Sequence, residues 1–211
     1  GLGSRGFLLR AELAGPMADA LTQTYDRLAA TWDDNADPAA RWRQVCRQVI
    51  AECAQTTPQD VLVDLGCGTG TLAVTLAPYV QRVVGIDLSR AMLAVAETKA
   101  TAAGVADRCT WIRSDLVQVP KEPGLSVVTC CWTLHHLTPA RRRQLWSEAH
   151  DRLPKMGQLI VGGLIPSMDP GIIDGIEDWT EPGDELPPVP EVGNELREAG
   201  FAPTVDIVHP A

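Results

Sequence analysis

In the stretch VLVDLGCGTG, residues 61–70, four apolar positions and one acid run directly into three glycines spaced two apart. Short apolar runs rich in Val and Leu suit the centre of a parallel sheet, so Val61 to Leu65 reads as a fully buried strand. Gly66, Gly68 and Gly70 allow a tight turn and a close approach of backbone to ligand. Thr71 to Leu76 then reads as a helix start, whose free N–H groups and dipole attract an anionic group. Strand, glycine turn and helix together describe a nucleotide-type site.

The flanking sequence extends this unit into an alternation. Arg82 to Ile86 reads as a second strand ending at Asp87, with Ser89 as N-cap of a helix over 90–103 that Gly104 closes. Strands are expected at 109–114, 125–131 and 158–161, with a helix from Pro139 to about Leu153 and a short or missing one in 116–124. Upstream, Leu21, Tyr25, Leu28 and Trp32 recur at helical spacing. Trp42, Val45, Cys46, Val49, Ile50 and Cys53 mark a second amphipathic helix opened by Pro38. A short helix over 191–199 and a strand over Thr204 to Val208 complete the pattern. Alternating strands and helices predict a doubly wound α/β fold with a mostly parallel sheet of six or seven strands. The expected division is a helical cover at 17–58, a cofactor-binding core at 59–163, and an acceptor-side lid with the last strand at 164–211. Residues 1–16 read as a leader before Met17. Within the lid, residues 164–190 are rich in proline and acids and hold no basic residue, which suits a loop over one face.

Composition narrows the partners. A net charge of −9 over 211 residues disfavours neutralisation of nucleic-acid phosphates. The run Arg141 to Arg143 reads as a solvated helix face. The six cysteines form no Cys-x-x-Cys and no zinc spacing, which predicts no metal and a reducing, cytoplasmic setting. No apolar run is long enough to span a membrane.

The glycine run departs from the dinucleotide fingerprint G-x-G-x-x-G, because its third glycine comes one place early and residue 71 is threonine. The run is D-x-G-x-G-x-G instead, and with VVGIDLS at 83–89 and LHHL at 134–137 it resembles the class I S-adenosylmethionine-dependent methyltransferases of small-molecule type. The resemblance covers roughly residues 20–209 and is strongest over 61–137. It implies S-adenosyl-L-methionine as cofactor, with Asp64, Gly66, Cys67, Gly68 and Gly70 along its methionyl and ribose part. Asp87 is then the acceptor for the ribose hydroxyls, Leu88 and Met92 pack near the adenine, and Ser114, Asp115 and Leu116 meet its edge. For Asp115 a turn-capping role stands beside the adenine role. The same resemblance places Cys131 and Trp132, at the exit of the fourth strand, beside the reacting methyl group. His135 and His136 follow, as a general base for the acceptor or as groups that fix the loop by hydrogen bonds. Tyr25 and Trp32 lie in YDRLAATWDD, similar to an N-terminal pattern whose aromatic residue covers the cofactor; as plain helix-core residues they need no such role.

The Asn-Pro-Pro-aromatic tetrad of methyltransferases acting on amide or base nitrogens is missing from the sequence. The expected function is methyl transfer from S-adenosylmethionine to a small-molecule acceptor by in-line displacement, with no nucleic acid and no membrane involved. The alternative is a catalytically silent cofactor-binding module acting through a protein partner, and a homodimer is left open. An NAD-dependent oxidoreductase is disfavoured by Thr71.

Overall fold

The computed structural model describes residues 16–34, 38–163 and 187–204. Two helices come first, α1 (Pro16–Leu28) and α2 (Pro38–Cys53). The alternating unit follows as β1 (Val61–Leu65), α3 (Thr71–Leu76), β2 (Arg82–Asp87), α4 (Arg90–Ala102), β3 (Cys109–Arg113), β4 (Leu125–Cys131), α5 (Pro139–Arg152) and β5 (Gln158–Gly162). The last described helix is α6 (Val189–Glu198).

The strands form one parallel sheet in the order β3-β2-β1-β4-β5. Among the described residues the sheet therefore has five strands, not six or seven. The expected strand at Thr204 to Val208 lies outside the described residues from 205 onward, and Thr204 itself has no regular structure. The loop at 164–186, with Trp179, and the leader at 1–15 also lie outside them. Helix α1 begins at Pro16, one residue before the expected start.

Side chains alternate across β1 between two apolar layers. Leu62 packs with Ile50 of α2, Leu72 and Leu76 of α3 and Ala100 of α4. Val63 and Leu65 pack on the other side with Leu145, Trp146 and Ala149 of α5 and, at its margin, Val192 and Leu196 of α6. Burial on both faces explains why β1 reads as an unbroken apolar run.

Three helix starts are set by local chemistry. Ser89 accepts from the Met92 N–H at the head of α4, Thr138 accepts from the Arg141 N–H at the head of α5, and Pro139 occupies the first turn of α5. Helix α3 starts after Gly70, whose φ of 72° is in the left-handed region. Among the described residues no helix is long and apolar enough to cross a membrane.

One expectation fails in the triple-arginine run. Arg143 is exposed, but Arg142 is 1% exposed and bonds to Glu195, Glu191 and the Leu137 carbonyl. Trp146 donates to the same Glu195 carboxylate at 3.0 Å. A guanidinium is buried only where carboxylates compensate it, and α6 supplies two of them. The pairing ties α6 to α5.

Candidate functional site

In a sheet of this order the crevice opens at the carboxyl ends of the strands, between β1 and β4, where the winding direction reverses. A cleft of about 180 Å³ lies there. Leu21, Tyr25 and Trp32 from the α1 region and Arg43 and Arg47 from α2 line one side, and the strand exits line the other.

Nearly all the predicted residues converge on this cleft. From the first two strand ends come Asp64, Gly66, Cys67, Gly68, Asp87 and Leu88, with Met92 from α4; from the later ones come Ser114, Asp115, Leu116, Cys131, Trp132 and His136. Gly70 and His135 are not among the lining residues. His135 is 2% exposed and lies against His136, with ring centroids 4.0 Å apart.

The three glycines do different work. A Cβ on Gly66 would sit 2.4 Å from Thr133 Oγ1, and one on Gly70 2.6 Å from the Ala96 Cβ. These two turn tightly because neighbours crowd them. At Gly68 the nearest atom to such a Cβ is Trp32 Nε1 at 3.8 Å, so this glycine leaves the cleft open. Across the cleft Trp132 holds a φ of 58°, the one non-glycine among the described residues in the left-handed region. Strain of this kind at a strand exit is a mark of functional sites.

Asp64 is completely buried. Its Oδ1 accepts from Thr129 Oγ1 at 2.7 Å, and its Oδ2 has no hydrogen-bond partner among the described residues. Burial, only partly offset by Thr129, pushes its carboxyl up to about 7. Asp87 stands at the next strand end. Its Oδ2 accepts from the Gly68 N–H and its Oδ1 from the Ser89 N–H, both at 2.9 Å, so it fixes the glycine turn as well as facing the cleft. Burial raises its carboxyl too, against these backbone hydrogen bonds. Asp115 accepts from Arg141 Nη2 with both oxygens and from the Val117 N–H, so the turn-capping role and an ion pair are both present.

Tyr25 and His136 meet across 111 residues of sequence, with hydroxyl and Nε2 2.7 Å apart. Tyr25 also packs edge-on to Trp32, with centroids 5.3 Å apart. Tyr25 of α1 and Trp32 of the turn after it therefore close over the strand exits.

Sequence reasoning missed three groups. Asp33, read as part of an acidic break, accepts from Thr69, Thr71, Lys99 and Arg47 and so ties the α1–α2 connection to the glycine turn. Burial pushes its carboxyl up, but the bonds from Lys99 and Thr69 outweigh this and hold it at about 2. Arg43 lies 4.0 Å over the Trp32 ring and bonds to the Trp32 carbonyl. Arg141 reaches Asp115. The repeat of arginine at 43 and 47, one helical turn apart beside apolar positions, is the available signal for the α2 pair.

The family profile described as "Methyltransferase domain" matches residues 62–157. The chain carries a class I methyltransferase domain. Among similar proteins, an uncharacterized protein of Synechococcus sp. is 31% identical over 146 residues, which is 64% of this chain and 35% of that one. A carboxy-S-adenosyl-L-methionine synthase of Wolinella succinogenes is 28% identical over 151 residues, 68% of this chain and 62% of that one. The chain thus spans between about a third and three fifths of these relatives. In three dimensions the methyltransferase fold agrees with a geranyl diphosphate C-methyltransferase from Streptomyces coelicolor A3(2), solved with Mg2+, geranyl diphosphate and S-adenosyl-L-homocysteine. The TM-score is 0.70 at 16% identity, over 91% of this chain and 82% of that one. It also agrees with the DhpI–SAM–HEP complex, with a TM-score of 0.70 at 17% identity, over 94% and 96% of the two chains.

S-adenosylmethionine is the cofactor of this family, and the donor set of the methyltransferase domain fits it. A buried carboxylate oxygen without a partner suits an ammonium, the open backbone at Gly68 leaves room for a ribose, and Asp87 suits its hydroxyls. Among the described residues no group of three or more His, Cys, Asp or Glu is placed to hold a metal ion.

Proposed function

We propose that this protein binds S-adenosylmethionine in the cleft and transfers its methyl group in line to a small-molecule acceptor. The unpartnered Oδ2 of the buried Asp64 carries this reading. An oxygen of that kind costs free energy unless a ligand engages it, and an amino acid ammonium is the group that best does so. Asp64 and the turn at Gly66 to Gly68 hold the methionyl and ribose end. Asp87 accepts the ribose hydroxyls, and Leu88, Met92, Ser114, Asp115 and Leu116 enclose the adenine.

When bound, the cofactor supplies an electrophilic methyl on a sulfonium sulfur. The residues of the chain then have three tasks. Tyr25, Trp32 and Trp132 exclude water and hold the acceptor near contact, which is where much of the rate of such a displacement arises. His136, on the cleft wall, takes the acceptor's proton on Nε2 once Tyr25 yields that position. His135, its ring tilted against that of His136 with centroids 4.0 Å apart, orients His136. Tyr25 and Trp32 serve as cover. Six free cysteines support a cytoplasmic setting.

Calorimetry with S-adenosylmethionine and S-adenosylhomocysteine tests the donor half. Both bind wild type and bind Asp87→Ala at least tenfold more weakly; no binding by wild type overturns the reading. A metabolite screen with methyl-labelled cofactor tests the acceptor half. Tight cofactor binding without turnover, together with a stable co-purifying protein, would instead support a silent module working through a partner.

A further inference from the structure

Two thiols meet beneath the cleft. Cys131 of β4 pairs in register with Gly162 of β5, so positions 131 and 162 share a face of the sheet. Cys46 of α2 lies on that face, with its Sγ 2.7 Å from where a Cβ on Gly162 would stand. Paired residues on neighbouring strands are about 5 Å apart, which puts Cys46 Sγ one side chain away from Cys131. Both thiols pack against the apolar layer that contains Leu62 and Val127, whereas Cys130 belongs to the opposite layer. Each thiol is near enough to shift the ionisation of the other.

We propose that Cys46 and Cys131 form a redox-modification site, at which hydrogen peroxide converts the two thiols into one disulfide linking α2 to β4. The pair has unequal members. The neighbouring Cys131 thiol, helped by the Arg47 guanidinium, lowers the Cys46 thiol below the ordinary range. The same proximity, together with burial, raises Cys131. Cys46 is accordingly the sulfur that forms thiolate and reacts first, and Cys131 resolves it. Because Cys131 lines the cleft, a molecule as small as peroxide reaches the pair through it.

The reaction balances in two steps. The Cys46 thiolate attacks one peroxide oxygen, forming S–O and breaking O–O, and the departing hydroxide takes up the proton that the thiol had lost. The Cys131 sulfur then attacks the Cys46 sulfur, S–S forms, S–O breaks, and hydroxide leaves with the Cys131 proton as water. Two thiols lose two electrons, and one peroxide becomes two waters.

The test is peptide mapping of the reduced whole protein after about stoichiometric peroxide. A cross-linked peptide joining residues 46 and 131, a loss of two hydrogens in intact mass and full reversal by dithiothreitol are expected. The oxidised form melts higher by roughly 5 °C, because the link closes a long loop of the unfolded chain. Cys46→Ser and Cys131→Ser, each checked for folding by circular dichroism, lose the cross-link. Since the wild-type map decides by itself, a variant that fails to fold leaves the test intact. Preferential oxidation of the exposed Cys53, a different disulfide, or sulfinic acid on Cys46 with no cross-link overturns the proposal.

Discussion

The hydroxyl of Tyr25 lies 2.7 Å from Nε2 of His136, joining the first described helix to the exit of the fourth strand. Removing the hydroxyl while keeping the ring separates its two tasks. Tyr25→Phe retains affinity for S-adenosylhomocysteine within about twofold, whereas Tyr25→Ala, which also removes the ring, weakens it about tenfold. Titration calorimetry on the two variants reads this difference. Once an acceptor is known, Tyr25→Phe alters the pH profile of turnover more than it alters cofactor affinity.

Asp64 predicts an unusual dependence of stability on pH. Its folded value of about 7 lies above the ordinary 3.8. The native state thus binds this proton more tightly than the unfolded chain. The resulting stability is fully present below pH about 4 and lost as pH rises through about 7, up to roughly 4 kcal/mol in all. Asp87, also raised by burial, acts in the same direction. Urea unfolding of the unliganded protein at pH 5 and pH 8 is expected to show the fall, and Asp64→Asn to show a smaller one.

The same carboxylate links proton release to ligand binding. An ammonium placed against Asp64 favours its charged form, so S-adenosylhomocysteine binding near pH 6.5 releases a large fraction of one proton. Calorimetry in buffers of different ionisation enthalpy measures that number, and Asp64→Asn should reduce it to near zero.

Two glycines with similar φ respond differently to alanine. Gly70 (φ 72°) meets the Ala96 Cβ at 2.6 Å and Trp111 at 2.8 Å, while at Gly104 (φ 70°) nothing lies within 4 Å. Gly104→Ala costs only the backbone strain, about 1 kcal/mol. Gly70→Ala adds overpacking and costs roughly 2–4 kcal/mol, read as a lower melting midpoint.

Glu195→Ala leaves Arg142 buried without its main carboxylate and Trp146 without its acceptor, a loss of about 3–5 kcal/mol. Glu191→Ala, from a half-exposed partner, costs about 1 kcal/mol or less. Denaturant midpoints distinguish the two.

What the sequence revealed follows the range of each signal. Strand β4 was legible to the residue because local burial dictates its pattern, and so was the Ser89 cap, which acts within three residues. The glycine turn showed itself as a motif, yet its reasons divided on inspection: crowding by Thr133, Ala96 and Trp111 governs Gly66 and Gly70, and those neighbours come from other elements. Asp33 stayed hidden because its partners are 14 to 66 residues away on three other segments. Arg142 looked like surface because three successive arginines cannot reveal which one meets a carboxylate from a later helix.

The buried pairing of Arg142 with Glu195 also fixes where the described chain resumes after β5. The chain leaves the sheet at Gly163, beside Trp132, and returns to it at α6, which that pairing anchors. The described residues on either side of 164–186 are thus held by β5 on one side and by α6 against α5 on the other.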